Sequence, residues 1–254
     1  MKILLKISFL GTAYNGYQVQ KNGPTIQQCL TEAARRVFSC ECDIVGCSRT
    51  DSGVHANMFC ATVSKKGTDT LISSIPVEKI PEAFCFYLPR DISVYCAEWV
   101  DESFHARYGV KYKEYIYRIS NRRCRDPFEE GRALSFSKLL SDADIERMSK
   151  AAEFYVGKHD FSAFMASGSK ITDTVREVFY AEVKREGDII TFRVAADGFL
   201  YNMVRIMVGT LLAVADGKIE PEDIEDIILS RDRRRAGSTA PAYGLYLNRV
   251  EYNT

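Results

Sequence analysis

Hydrophobic and polar positions along the chain recur with two different periods, which predict strands and helices. Every second residue from Ile3 to Ile7 is apolar, and this alternation predicts a first strand over residues 2–9. After Pro24-Thr25, apolar residues recur at helical spacing from Ile26 to Val37, which predicts an amphipathic helix. Apolar alternation through Phe84, Phe86 and Leu88 leads to a further strand near residues 94–100.

The remaining pattern mixes strands and helices without strict alternation. Strands are predicted at residues 43–48, 58–63, 113–119, 178–184, 189–195 and 245–250. Helices are predicted at residues 142–156, 200–215 and 221–229. Such a mixture favours an α+β fold with largely antiparallel sheet. The segment ESFHARYGV marks the passage between two halves with similar alternation, so we expect an N-terminal α/β half at residues 1–104 and a C-terminal half at residues 105–254.

Charge does not by itself indicate a nucleic-acid partner. The 254 residues include 34 basic and 34 acidic ones, so the net charge is zero, whereas nucleic-acid proteins usually carry a basic excess. Clustering matters more than the sum for phosphate binding. Two basic clusters occur, Arg122, Arg123 and Arg125 in NRRCRDP, and Arg231, Arg233, Arg234 and Arg235 in SRDRRRAGS. Each cluster fits either a phosphate contact or a solvated surface.

Several other classes are not favoured. Lys6 interrupts the first apolar run, no run is long enough to cross a bilayer, and we expect a cytoplasmic protein without a membrane. The eight cysteines form no C-x-x-C pair and only three histidines occur, so no metal site is predicted and the thiols are interpreted as free and buried. No phosphate-binding loop or dinucleotide fingerprint is present, which predicts chemistry without a cofactor.

The most informative stretch is GCSRTDSGVHA at residues 46–56. A strand ends near Ser48, and polar or glycine residues follow before apolar character returns. Gly53 permits a tight turn just after Asp51. A carboxylate on such a turn, two residues from Arg49, is well placed at the mouth of a cleft. Taken alone, this stretch also fits an ordinary surface turn.

Two further stretches place polar groups in apolar surroundings. Tyr115 and Tyr117 lie on one face of the predicted strand, with Ile116 and Arg118 on the other, which fits half-buried packing as well as chemistry. Arg205 lies in a helix of high apolar content, so its charge needs a partner, which any nearby acid could supply.

Taken together, these strings resemble the signature of the TruA family of tRNA pseudouridine synthases. RTDSGVHA at residues 49–56 is similar to the family's central motif, and KEYIYRI at 113–119, MVRIMVG at 203–209 and GLYL at 244–247 are similar to three others. YNGYQVQ at 14–20 and GKHDFSAF at 157–164 extend the resemblance over residues 1–250. Ser48, Leu10 and Tyr17 depart from the usual family residues.

The resemblance implies roles for five residues. Asp51 is expected to be the catalytic nucleophile, and Arg49 to bind RNA near the target or help displace the target base. Tyr115 is expected to stack against that base, and its hydroxyl is a candidate for moving a proton. Arg205 is expected to form a salt bridge to Asp51 that would lower the pKa of the carboxylate. Leu245 is expected to pack against the base.

The resemblance also implies the overall function. It implies a pseudouridine synthase fold whose two similar halves meet at a central catalytic cleft. The expected reaction isomerises uridine at positions 38, 39 and 40 in the anticodon arm of tRNA, in a homodimer, with no metal. Asp51 could attack the sugar, attack the base or assist elimination to a glycal.

Two other classes compete with this interpretation. An RNA-binding protein without catalysis, with an RRM-like sheet, would not need the combination of Asp51, Tyr115 and Arg205. A hydrolase with paired carboxylates would need a second acid near Asp51, and the sequence places none there.

Overall fold

The computed structural model describes residues 1–168 and 171–253. The strands in these ranges are β1 (Lys2–Phe9), β2 (Cys42–Gly46), β3 (His55–Lys65), β4 (Ile92–Val100), β5 (Val110–Ser120), β6 (Leu134–Ser135), β7 (Gly157–Asp160), β8 (Val175–Glu186), β9 (Ile189–Ala196) and β10 (Leu245–Tyr252). The α-helices are α1 (Ile26–Phe38), α2 (Ile80–Tyr87), α3 (Asp142–Glu153), α4 (Met203–Ala215) and α5 (Asp223–Ser230).

The chain divides into two compact units. The first contains Met1–Lys111 together with Tyr246–Thr254, and the second contains Tyr112–Leu245. The last strand therefore belongs to the first unit although it ends the chain. The division into functional halves at residues 104 and 105 stays a prediction.

The first unit combines neighbouring strands of the sheet with the helices α1 and α2. Its strand order is β4-β1-β3-β10, with β2 also paired to β3. These pairings are antiparallel except for β10, which runs parallel to β3 with Tyr246 opposite His55. Ile3, Leu5 and Ile7 are fully buried, as the alternation in β1 predicts. Helix α1 begins where the Thr25 side chain accepts a hydrogen bond from the backbone N–H of Gln28.

The second unit is built around four antiparallel strands. Its strand order is β5-β9-β8-β7, and the short β6 runs parallel to β5. Helix α4 has ten buried residues, consistent with its apolar sequence. Helix α3 begins with a capping box in which Ser141 and Asp144 each satisfy the other's backbone N–H. The predicted α+β class with largely antiparallel sheet is confirmed.

The alternation through Phe84, Phe86 and Leu88 indicated a strand, and this indication is wrong. A period of two indicates a strand, but this segment forms helix α2. The buried residues are Ile80 and Phe84, which lie four apart as in a helix, whereas the Phe86 side chain is 81% exposed. Only the buried positions carry the true period.

Two features are missing from the described residues. Within residues 1–168 and 171–253, no helix is long and apolar enough to cross a membrane. No group of three His, Cys, Asp or Glu side chains that could hold a metal ion occurs in the same ranges. The eight cysteines are free thiols. Cys42, Cys47 and Cys60 are buried, whereas Cys85 and Cys124 are exposed, so the expectation of buried thiols holds only for part of the set.

Candidate active site

Asp51 lies in a tight turn between β2 and β3. The backbone N–H of Val54 donates to the carbonyl oxygen of Asp51 over 3.1 Å, which closes the turn. Gly53 has φ of 81°, a left-handed conformation that side chains disfavour. The sequence predicted both the turn and this role of glycine. Asp51 itself is half-buried.

A second loop, residues 11–17, holds the Asp51 turn in place through hydrogen bonds to its own backbone. The N–H of Tyr17 donates to the carbonyl of Thr50 over 3.1 Å. In the other direction, the Ser52 hydroxyl donates to the carbonyl of Tyr14, also over 3.1 Å. The residues on either side of Asp51 are therefore both bonded to this loop.

Gly16 allows these two loops to approach closely. A Cβ added to it would lie 2.4 Å from the carbonyl oxygen of Thr50, and its φ is +81°. Both the contact and the backbone conformation exclude an ordinary side chain. In the sequence, the YNGYQVQ string only extended the family resemblance, and its observed role includes support of the Asp51 turn.

The supporting loop is itself anchored to the sheet. The Tyr14 hydroxyl donates to Asp91 Oδ1 over 2.6 Å, and burial followed by this bond to a carboxylate raises the pKa of Tyr14. The backbone N–H of Gly11 donates to Nδ1 of the fully buried His55 over 2.9 Å. His55, which the motif contains without an assigned role, is thus a structural histidine.

Tyr115 lies on β5 in the second unit and is 7% exposed. Its ring packs edge-on against Phe199, with centroids 5.0 Å apart. Tyr117, two residues on, is fully buried and its hydroxyl donates to the carbonyl of Pro241 over 2.8 Å. The predicted common face of the two tyrosines is confirmed, and Tyr117 has a structural hydrogen bond.

Arg205 lies in the first turn of α4, and its guanidinium is held by neighbouring groups of the second unit. Nε donates to the carbonyl of Ala240 over 2.7 Å, and a terminal nitrogen donates to Oδ1 of Asn202 over 2.7 Å. The backbone N–H of Ala240 donates in return to the carbonyl of Arg205 over 3.0 Å. These bonds fix the direction of the side chain.

Gly209 brings the 236–240 segment onto helix α4. A Cβ added to Gly209 would lie 1.7 Å from the carbonyl oxygen of Ser238, a distance that no side chain tolerates. The Thr210 hydroxyl accepts a hydrogen bond from the N–H of Gly237 at the same contact, over 2.9 Å. The glycine of the MVRIMVG string therefore positions the segment that holds Arg205. Leu245, 6% exposed, begins β10 shortly after this segment.

The two basic clusters carry less uncompensated positive charge than their sequences suggest. Arg234 pairs with Asp232 over 2.8 Å, and Arg231 pairs with Asp160 over 3.0 Å. Hydrogen bonds from Arg234 hold the pKa of Asp232 low, at about 2. In the other cluster, Arg122 pairs with Asp126 over 2.7 Å. Much of this positive charge is compensated locally.

The structure places the five predicted site residues in two groups. Arg49 and Asp51 share one loop of the first unit, and Tyr115, Arg205 and Leu245 lie in the second. Sequence reasoning gave no role to the support of the Asp51 turn or to the contact of Gly209. The sequence did contain a sign of both contacts, because Gly16 and Gly209 are glycines inside the motif strings. Glycine disfavours a helix such as α4, so its presence there indicates a packing requirement.

Comparisons with known proteins agree over nearly the whole chain. A family model described as tRNA pseudouridine synthase matches residues 151–253. The chain is 44% identical over 250 residues to tRNA pseudouridine synthase A of Thermoanaerobacter sp. (strain X514), covering 98% of this chain and 99% of that relative. It is 42% identical to the protein of the same name from Bacillus pumilus (strain SAFR-032), over the full length of both.

A third relative, tRNA pseudouridine synthase A of Acetivibrio thermocellus, is 42% identical and covers 98% of this chain and 99% of its own length. The α+β architecture with mostly antiparallel sheet agrees with the pseudouridine synthase fold expected from the resemblance. Identity at this level over nearly full length is decisive. The chain therefore belongs to the tRNA pseudouridine synthase A family, whose members are isomerases that act on tRNA.

Proposed function

We propose that this enzyme isomerises uridine to pseudouridine at positions 38, 39 and 40 in the anticodon arm of tRNA, with Asp51 as the nucleophile. The observation that carries the proposal is the support of the Asp51 turn. The residues on either side of Asp51 are hydrogen-bonded to the backbone of the 11–17 loop, Thr50 through its carbonyl and Ser52 through its hydroxyl. Hydrogen bonds at both neighbours of the carboxylate suit a group that must meet a substrate atom in a defined position.

The reaction needs few protein groups. The N-glycosidic bond between nitrogen 1 and the sugar breaks, the uracil rotates, and its carbon 5 joins the sugar. The proton on carbon 5 goes to solvent, and nitrogen 1 takes up a proton, so the product is an isomer of the substrate. One carboxylate can form a covalent intermediate with the sugar or the base, or can assist elimination to a glycal. Asp51 serves in each route, and no external nucleophile enters.

The other proposed residues act on the base and on the carboxylate. Tyr115 stacks against the target base, and Leu245 packs against it, because a base taken out of the RNA stack needs aromatic and apolar walls. Arg205 orients Asp51 and favours its ionised form. The bonds of its guanidinium to Ala240 and Asn202 support such a fixed direction.

Arg49 is proposed to bind RNA beside the target uridine. It is exposed and lies two residues before Asp51. The substrate is the anticodon arm of tRNA, and we further propose that the enzyme acts as a homodimer in the cytoplasm, where tRNA is modified. Cross-linking in solution tests the dimer separately from the chemistry.

A tritium-release assay tests the proposed reaction. Transcribed tRNA labelled with tritium at uracil carbon 5 should release its label into water, one equivalent for each pseudouridine formed. Transcripts in which uridines 38, 39 and 40 are replaced by cytidine, singly and together, map the positions. Full release from the triple replacement would contradict the assigned positions, and binding without any release would favour the non-catalytic alternative.

A further inference from the structure

A pocket of about 260 Å³ opens in the first unit next to the Asp51 turn. Ser48 and Arg49 line it from the strand end that leads into the turn, and His105, Arg107 and Tyr108 line it from the segment before β5. Pockets for whole small-molecule ligands usually measure about 300–1,000 Å³. The volume of this pocket is slightly below that range, so it suits one residue or nucleotide of a longer ligand.

The pocket is electropositive. Arg49 and Arg107 contribute two guanidinium groups, and no residue in the described part of its lining is acidic. Neither arginine forms an ion pair within residues 1–168 and 171–253, in contrast to Arg234, which Asp232 compensates. Two uncompensated guanidinium groups at one pocket favour an anion with several acceptor oxygens, such as a phosphate.

A rigid aromatic surface stands at the same pocket. The backbone N–H groups of Arg107 and Tyr108 both donate to Nδ1 of His105, over 3.1 and 3.2 Å, which closes a tight turn. The His105 and Tyr108 rings pack with centroids 4.4 Å apart, and the Arg107 guanidinium lies 5.9 Å from the Tyr108 ring centroid. The Tyr108 side chain nevertheless remains 79% exposed. An exposed but oriented ring beside arginines is typical of a stacking platform for a nucleic-acid base.

We propose that this pocket is a subsite for one nucleotide of the tRNA next to the target uridine. Its phosphate lies against Arg49 and Arg107, and its base stacks on Tyr108. The inference rests on the proposed function, because it takes Asp51 as the residue that meets the target. Two residues of chain span at most about 7 Å. The backbones of Arg49 and Asp51 are therefore close enough in space for the two side chains to hold neighbouring nucleotides of one strand.

Binding measurements on exposed residues test the subsite without touching Arg49 or Asp51. Filter binding of fully modified tRNA, which does not turn over, gives Kd as a function of salt. Arg107→Gln should weaken binding at low salt and reduce the logarithmic salt slope by about one. Tyr108→Ala should weaken binding roughly tenfold with the slope unchanged, whereas Tyr108→Phe should keep wild-type affinity because stacking needs only the ring.

Matched controls exist in the same unit. Arg90→Gln removes a charge that is likewise exposed, and Phe86→Ala removes a ring that is 81% exposed, but neither residue lines the pocket. Both variants should bind tRNA like wild type. In the combined Arg107→Gln and Tyr108→Ala variant, the loss should be smaller than the product of the single losses, because both residues hold one nucleotide.

A short competition experiment identifies the ligand class. Uridine 3′-monophosphate should displace a bound RNA trinucleotide at lower concentration than inorganic phosphate does, and Tyr108→Ala should remove this difference. Equal displacement by the two competitors would contradict a nucleotide site. If wild type releases tritium but Arg107→Gln and Tyr108→Ala keep wild-type Kd and slope, the subsite is wrong and the proposed function stands. Absence of tritium release in wild type would overturn the proposed function itself.

Discussion

The turn that carries Asp51 and the helix that carries Arg205 are both held by a close backbone contact at a glycine, but one region is half-exposed and the other is buried. In each, a glycine lets a neighbouring backbone approach to a distance that a Cβ would block, Gly16 at the turn and Gly209 in α4. The turn is irregular, half-exposed and held by a few loop-to-loop hydrogen bonds. Helix α4 is buried along most of its length.

This difference predicts different responses to change. Asp51 depends on local hydrogen bonds, so its position can change while the rest of the first unit stays folded. Arg205 depends on a buried contact of α4, so its position cannot change without loss of core packing. Activity should therefore be the sensitive measure for the turn, and stability the sensitive measure for the helix.

The largest effect on stability is expected from Gly209→Ala. The added methyl would lie 1.7 Å from the Ser238 carbonyl, so the 236–240 segment must move off the helix. Overpacking of this kind costs about 3 kcal/mol, against a gain of about 1 kcal/mol in helix propensity. A melting curve should show Tm lowered by several degrees, at about 2–4 °C for each kcal/mol. An unchanged Tm would show that the contact is not required.

Gly16→Ala should act mainly on activity. The methyl would lie 2.4 Å from the Thr50 carbonyl, and the displaced turn would carry Asp51 with it. A shift of about 1 Å in a catalytic group can cost roughly a hundredfold in rate. Steady-state tritium release should show this loss, while Tm falls by a few degrees at most.

Gly67→Ala is the matched control for Gly16. Gly67 has φ of +75°, but a Cβ added there would meet nothing within 4 Å. This variant has the same backbone strain, about 1–2 kcal/mol, without the contact to the Asp51 turn. Similar loss of activity in both variants would mean that strain, not displacement of Asp51, explains the effect.

Tyr14→Phe should have a smaller effect, on the anchor of the supporting loop. It removes the hydrogen bond of 2.6 Å from the Tyr14 hydroxyl to Asp91, worth about 1.5 kcal/mol when the acceptor is charged. The pKa of Tyr14 is raised above its ordinary value of 10.0, so this stabilisation is complete below pH 10 and is lost as pH rises above it. The difference in unfolding free energy between wild type and variant should be constant from neutral pH up to pH 10 and shrink beyond. A difference that grows above pH 10 would contradict the assignment.

The smallest effect is expected from Arg234, in the basic cluster at residues 231–235. Arg234 is already paired with Asp232 over 2.8 Å, so Arg234→Gln should change the salt slope of tRNA binding by much less than one. Arg123 and Arg125 are exposed, and their joint replacement by Gln should lower the slope by up to about two if they touch phosphates. A full unit lost in Arg234→Gln would show that the pair with Asp232 opens on binding.

Much of the fold could be predicted because its signals are local. The alternation in β1 was reliable because one face of that strand is wholly buried, as Ile3, Leu5 and Ile7 show. Helix α2 was missed because exposed Phe86 broke the helical period formed by Ile80 and Phe84. Apolar residues on the surface carry no information about the period.

The candidate site was predictable in its residues but not in their support. Asp51, Tyr115 and Arg205 stand in strings whose resemblance to one family extends along the chain. The contact of Gly16 with Thr50 joins residues far apart in sequence, and no periodicity reports such a contact. The compensation of Arg234 by Asp232 could not be predicted either. The two residues are near in sequence, but their pairing depends on the conformation of the segment.

The role of Asp51 as nucleophile is tested most directly by tritium release from Asp51→Asn on tRNA labelled at uracil carbon 5. The substitution keeps the size and hydrogen-bonding capacity of the side chain but removes the nucleophilic carboxylate. Binding of tRNA and the circular dichroism spectrum serve as controls and should match wild type. We expect turnover below about 1% of wild type with binding retained. Residual turnover above a few per cent, in a preparation free of wild-type enzyme, would contradict this role.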